Sequence, residues 1–129
     1  MKVLALDYGA ARTGVAVSDP TGTLARPLCV VERAGSAAGL ARVAELVRAE
    51  SAERVVVGLP LTLAGEHGEQ ARETQRFADT LRAALGVPVE LFDERFTTDL
   101  AEAGGDAPED ARAAAHLLTG YLSWSSRPA

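Results

Sequence analysis

The chain has 129 residues, 47% hydrophobic and 24% charged, with a formal net charge of −5. That length holds one globular domain and not two. No apolar run approaches the roughly 18 residues a membrane-spanning helix needs, and Met1 to Leu6 is too short, and too soon interrupted by Asp7, for a signal peptide, so a cytoplasmic protein is expected. Cys29 is the only cysteine, which excludes an internal disulfide and any site built from several thiolates. Lys2 is the only lysine among 13 cations, which argues against Schiff-base chemistry and a phosphate-loop lysine. Net negative charge gives no general attraction to a polyanion. Nucleic-acid binding would therefore need a local arginine patch and metal ions.

In chain order, Val3-Leu4-Ala5-Leu6 is a continuous apolar run ending at Asp7 and predicts a strand buried on both faces. Residues 8–12 form a turn, Thr13 to Ser18 is strand-like, Asp19-Pro20-Thr21-Gly22 has turn chemistry, and Thr23 to Val31 is extended again: an antiparallel meander. From Ser36 to Glu50, Leu40, Val43, Leu46 and Val47 recur at helical spacing. Arg54-Val55-Val56-Val57 predicts a strand ended by Gly58-Leu59-Pro60, followed by a polar, Gly-containing loop to Gly68. A second helix starts near Glu69, buries Phe77, Ala78, Leu81 and Leu85, and stops at Gly86. Val87 to Phe92 predicts a last strand running into Asp93-Glu94-Arg95, and Pro108 is placed as first residue of a last helix running to about Trp124. The expected fold is α/β, a five-stranded mixed sheet with helices packed on it, forming a single domain over residues 1–124 with a frayed tail over 125–129.

Asp7 and Asp93-Glu94 lie at the carboxyl ends of two predicted strands, where open α/β sheets border a ligand crevice. Asp110 falls in the first turn of the last helix. Carboxylates brought together repel unless some are protonated or a divalent cation sits between them. With oxygen ligands alone, that ion should be hard, Mg²⁺ or Mn²⁺. Each acid also has a bland reading: Asp7 ending its strand on turn amides, Asp110 answering the helix dipole. Side chains alternate along a strand, so only one of Asp93 and Glu94 can share the face of Asp7. Gly9 and Gly14 permit close backbone approach beside Asp7, which suits a phosphate. Arg12 and Arg95 can hold phosphates bidentately or neutralise the acids, and Thr97 and Thr98 can cap backbone or touch a sugar-phosphate. His67 reads as a solvated loop histidine in preference to a proton shuttle, and His116 is assigned no role.

These residues resemble a known family. Leu6-Asp7-Tyr8-Gly9 with Arg12, Gly14-Val15-Ala16-Val17-Ser18-Asp19, Val57-Gly58-Leu59-Pro60 with Gly65 and Gln70-Ala71, and Asp93-Glu94-Arg95-Phe96-Thr97-Thr98 are similar to the YqgF (RuvX) family of Holliday junction resolvase-like proteins. The resemblance covers nearly the whole chain. It implies a ribonuclease H-like fold and a metal-dependent nuclease site formed by Asp7, Glu94 and Asp110, with Arg112 and His116 as departures from the family's last-helix pattern. From the residues' own chemistry, two Mg²⁺ or Mn²⁺ ions are expected there, with Gly9, Arg12, Arg95, Thr97, Thr98 and Arg112 at the substrate. One departure stands out: residues 99–106 are short and acidic where the family usually carries a longer basic stretch, which bears on substrate contacts more than on chemistry.

The leading expectation is thus a phosphodiesterase leaving 5′-phosphate and 3′-hydroxyl ends. The resemblance points to two substrates, precursor 16S rRNA and branched or single-stranded DNA. Junction resolution would require two symmetry-related sites and hence a homodimer. Contacts through Arg12, Arg26, Arg95 and Arg112 should weaken steeply with salt. A catalytically silent nucleic-acid or ribosome-assembly binding module is the alternative. A receiver-type phosphoacceptor lacks its late lysine here, and an actin-like ATPase would need a second domain.

Overall fold

The structure, a computed structural model, describes residues 1–62, 64–94 and 106–126. Its elements are β1 (Val3–Asp7), β2 (Arg12–Ser18), β3 (Ala25–Glu32), α1 (Ala37–Ala49), β4 (Arg54–Leu59), α2 (Glu69–Ala84), β5 (Val89–Asp93) and α3 (Glu109–Ser125). The strands form one five-stranded sheet in the order β3-β2-β1-β4-β5. β1, β2 and β3 pair antiparallel, and β4 and β5 add in parallel to the other side of β1. This is the expected mixed sheet, with the carboxyl ends of β1, β4 and β5 at one edge.

Alternation along each strand divides the core in two. Leu4, Leu6, Val15, Val17, Val55, Val57 and Val89 face α1 and α2, packing on Val43, Leu46, Val47, Phe77, Ala78 and Leu81. Val3, Ala5, Ala16, Val56 and Phe92 face α3, packing on Ala114, Ala115, Leu117, Leu118, Tyr121 and Leu122. The sheet is therefore covered on both faces, which explains why β1 and β4 read as unbroken apolar runs. Among the described residues no helix is long and apolar enough to cross a membrane.

Several boundaries move for local reasons. The Asp19 carboxylate accepts the backbone N–H groups of Thr23 and Leu24 at 2.7 and 2.9 Å, so these residues cap a turn instead of joining the ladder, and β3 begins at Ala25. Ser36, expected as the first residue of α1, caps it by accepting from Gly39 N–H at 3.0 Å. α2 ends at Ala84, with Leu85 already extended, before Gly86. Pro108 is the cap of α3 and not its first residue: its ψ is 143°, while its carbonyl accepts the first helical bond from Arg112. α3 continues to Ser125, where a frayed tail was expected to begin.

Candidate active site

The same alternation aims the acids. Val3 and Ala5 face α3, so Asp7, two residues further along β1, projects to that face as well. On β5, Phe92 faces α3, and Glu94, two residues on, follows it. Of the two adjacent acids, Glu94 is thus the one that reaches Asp7, and their carboxyls are hydrogen-bonded to each other.

Two strand glycines make this closeness possible. Gly14 pairs with Asp7 across β1 and β2, and a Cβ on it would lie 1.8 Å from the Asp110 carbonyl oxygen. Only glycine lets the first turn of α3 rest on the sheet beside Asp7. Gly58, near the end of β4, holds the corresponding space for Glu94: a Cβ there would meet Glu94 Oε1 at 2.6 Å. Gly14 was expected to admit a phosphate; what approaches its backbone is α3. Gly9 sits in the β1–β2 turn, where a Cβ would strike the Arg12 carbonyl at 2.4 Å, and buried Thr13 hydrogen-bonds both its N–H and its carbonyl at 3.3 Å. Thr13 was not singled out from the sequence. A threonine at the first buried position of a strand after a glycine turn was its only signal.

Electrostatics follow from this crowding. Burial raises the Asp7 pKa, the Asp110 charge raises it further, and the hydrogen bond from Glu94 offsets part of that rise. Glu94 is pushed up to about 7, first by burial, then by the charge of Asp7, the hydrogen bond to it, and the charge of Asp93. Both carboxyls are thus shifted toward the protonated form, with burial the leading cause in each. Asp110 forms an ion pair with Arg12, whose Nε lies 3.0 Å from Oδ2. Arg12 is otherwise exposed.

A family model described as RuvX, Holliday junction resolvase, matches residues 1–124. The chain belongs to the RuvX family. Among its relatives, the "Putative pre-16S rRNA nuclease" of Anaeromyxobacter dehalogenans (strain 2CP-C) is 45% identical over 132 residues, covering 95% of this chain and 96% of the relative. The protein of the same name from Chloroflexus aurantiacus (strain J-10-fl) is 50% identical over 100 residues, 78% of this chain but only 65%, just under two thirds, of that protein's length. The fold is shared with T. thermophilus RuvC, solved in complex with a Holliday junction substrate, at TM-score 0.66 and 20% identity over 97% of this chain and 94% of that one. It is shared more distantly with the fowlpox virus resolvase, solved with Holliday junction DNA, at TM-score 0.54 and 10% identity over 98% and 100% of the two chains. The ribonuclease H-like architecture expected from the resemblance is thus the fold of this RuvX protein.

The RuvX protein brings Asp7, Glu94, Asp110 and Arg12 to one corner. Among the described residues, no three His, Cys, Asp or Glu side chains stand close enough to form a metal-ligand set as they are. Asp110 contacts Arg12 instead of closing on the pair. Arg112, two residues along α3, is half-buried, and its Nε is enclosed without a hydrogen bond. Arg95, Thr97 and Thr98, with most of the acidic stretch, lie outside the described residues. His67 is exposed in its loop, with Nδ1 3.2 Å from Gln75 Nε2.

Proposed function

We propose that this RuvX protein is a divalent-metal-dependent nuclease, with Asp7, Glu94 and Asp110 as the groups that would hold Mg²⁺ or Mn²⁺. The observation that carries this reading is the Asp7–Glu94 pair: two carboxyls in hydrogen-bond contact, both with raised pKa, where the further charges acting on them, Asp110 and Asp93, are also acidic. Such a cluster costs stability unless something of opposite charge joins it. All three donors are hard oxygens, which fit Mg²⁺ or Mn²⁺. For these residues to take a cation, the Asp7–Glu94 pair must release its proton, and Asp110 must share its contact with Arg12. Arg12 then offers its remaining N–H groups to a substrate phosphate. When bound, a pair of such ions supplies an activated water and stabilises the departing sugar oxygen, leaving 5′-phosphate ends.

The names of relatives at 45% and 50% identity favour precursor 16S rRNA as substrate. Branched DNA is the alternative and would require two copies of the site in a dimer. The test is incubation of the purified protein and its Asp7→Asn variant with end-labelled single-stranded RNA, single-stranded DNA and a four-way junction, with Mn²⁺ or with chelator. Cleavage of the RNA by the parent, lost in chelator and reduced at least about a hundredfold in Asp7→Asn, is expected. Equal cutting by parent and variant in Mn²⁺ rules the mechanism out. Binding that ignores metal and releases no fragments identifies a binding module.

A further inference from the structure

The residue after Asp7 points the other way. Leu4 and Leu6 face α1 and α2, and Tyr8 continues that side, packing against the same core. Its ring stacks on Phe77 of α2, with centroids 4.3 Å apart and planes 21° from parallel. Beside the stack opens a cavity of about 390 Å³ lined by Tyr8, Gly35, Glu73, Arg76, Phe77 and Thr80. One peptide unit, about 3.8 Å between Cα atoms, separates this wall from the acid corner. The two sites therefore share the carboxyl edge of the sheet, one on each side of it.

The lining decides what fits. A phosphate would be drawn by Arg76 but repelled by Glu73, and Arg76 already lies 3.8 Å from Glu69. An aliphatic group would use neither Glu73 nor Arg76. A planar ring bearing N–H donors on one edge and carbonyl or ring-nitrogen acceptors on another answers all of them: its face on Tyr8, its donors toward Glu73, its acceptors toward Arg76. The volume lies in the range of small-ligand sites. We propose that this cavity binds an unpaired nucleobase of the substrate strand, next to the phosphate to be cut. The proposal rests on the nuclease reading and narrows its substrate class. A base inside a duplex is stacked and paired and cannot lie on Tyr8 unless it is extruded, so the preferred substrate carries an unpaired nucleotide at the cut.

Binding of a labelled single-stranded RNA oligonucleotide is to be followed by fluorescence anisotropy in Ca²⁺, a hard divalent cation used in place of Mn²⁺, with a single abasic residue walked along the strand. One abasic position is expected to weaken binding by the parent about tenfold, the scale of a lost base–aromatic stack. Tyr8→Leu, which keeps apolar contact with Phe77, and Thr80→Phe, which fills the cavity from its exposed rim, should each bind the intact strand about tenfold more weakly. Both should match the parent on the strand abasic at that position. Should Tyr8→Leu fail to fold, Thr80→Phe decides. The proposal is overturned if no abasic position matters, if no oligonucleotide binds, or if the variants lose equally on intact and abasic strands. Cleavage in Mn²⁺ is scored separately: base-dependent binding without cleavage sinks only the nuclease reading, and cleavage with base-blind binding sinks only the cavity.

Discussion

The two ends of α3 cover two polar clusters on the same face of the sheet, and they are built on opposite principles. At the amino edge, Arg54 of β4 donates to the Tyr121 hydroxyl at 2.9 Å and pairs with Glu90 of β5 at 3.4 Å. The hydrogen bond it donates to Tyr121 and the charge of Glu90 both favour the charged guanidinium, raising its pKa. At the carboxyl edge, Asp7 and Glu94 are like-charged groups that must keep a proton between them. The first cluster joins opposite charges, with only the Arg54 Nε left enclosed without a hydrogen bond; the second gathers charges of one sign. Half-buried polar groups in a folded protein are normally paired with opposite charge or hydrogen bonds, and the nuclease reading rests on the departure from that at Asp7 and Glu94.

The largest effect should come from closing the acid corner. Gly14→Val places a side chain where the Asp110 backbone now lies, so α3 must lift from β2. A loss of about 3 kcal/mol or more in denaturant unfolding is expected, with cleavage gone; retention of parental stability would mean that the α3 contact is not tight. At the amino edge, Arg54→Met leaves Glu90 and the Tyr121 hydroxyl without their shared donor. A loss of about 1 kcal/mol is expected, with cleavage unchanged, and any change in cleavage rate beyond the stability loss would blur the distinction between the two ends.

Glu94→Gln should separate the ends in sign. Its native pKa, about 7, lies above the ordinary carboxylate value of 4.5, so the folded state binds more protons than the unfolded chain between these pH values. Stability from this group is full below about pH 4.5 and falls as pH rises through about 7. Solvent on the half-exposed carboxyl screens the repulsion, which leaves about 1 kcal/mol. The amide removes that penalty, so Glu94→Gln should melt a few °C higher than the parent at pH 8 while cutting far more slowly. A lower melting temperature at pH 8 would show that the pair is not strained. At subsaturating Mn²⁺, parental cleavage should rise with pH through about 7 as Glu94 gives up its proton for the ion, and a flat profile from pH 6 to 8 under that condition would remove this protonation from the account. The smallest effect belongs to Arg12→Gln: its exposed ion pair contributes under about 0.5 kcal/mol, but the slope of log affinity against log salt should shrink by about one.

Much of this was legible in the chain itself. Apolar runs such as Val3 to Leu6 and Val55 to Val57, and the helical spacing of Val43, Leu46 and Val47, reflect burial periods that do not depend on distant partners. The acids were legible as candidates because each ends or opens an element. The boundaries that moved, at Thr23-Leu24 and Pro108, did so where a side chain or a single carbonyl competes for backbone hydrogen bonds, which residue type alone does not reveal. The choice between Asp93 and Glu94 depended on the phase of β5 against α3.

Sequence alone determined the strand and helix periods, the hard-oxygen character of the candidate ligands and, through several motifs in order, membership of the RuvX family. Tertiary structure decided that Glu94 meets Asp7, that Gly14 and Gly58 keep room for the acids, that Asp110 rests on Arg12, and that Tyr8 turns away toward Phe77. The division has a physical cause. Periodicity and ligand chemistry belong to single segments, whereas distances among three elements, and the pKa shifts that follow from them, exist only once the sheet has set its register and α3 has come down on it.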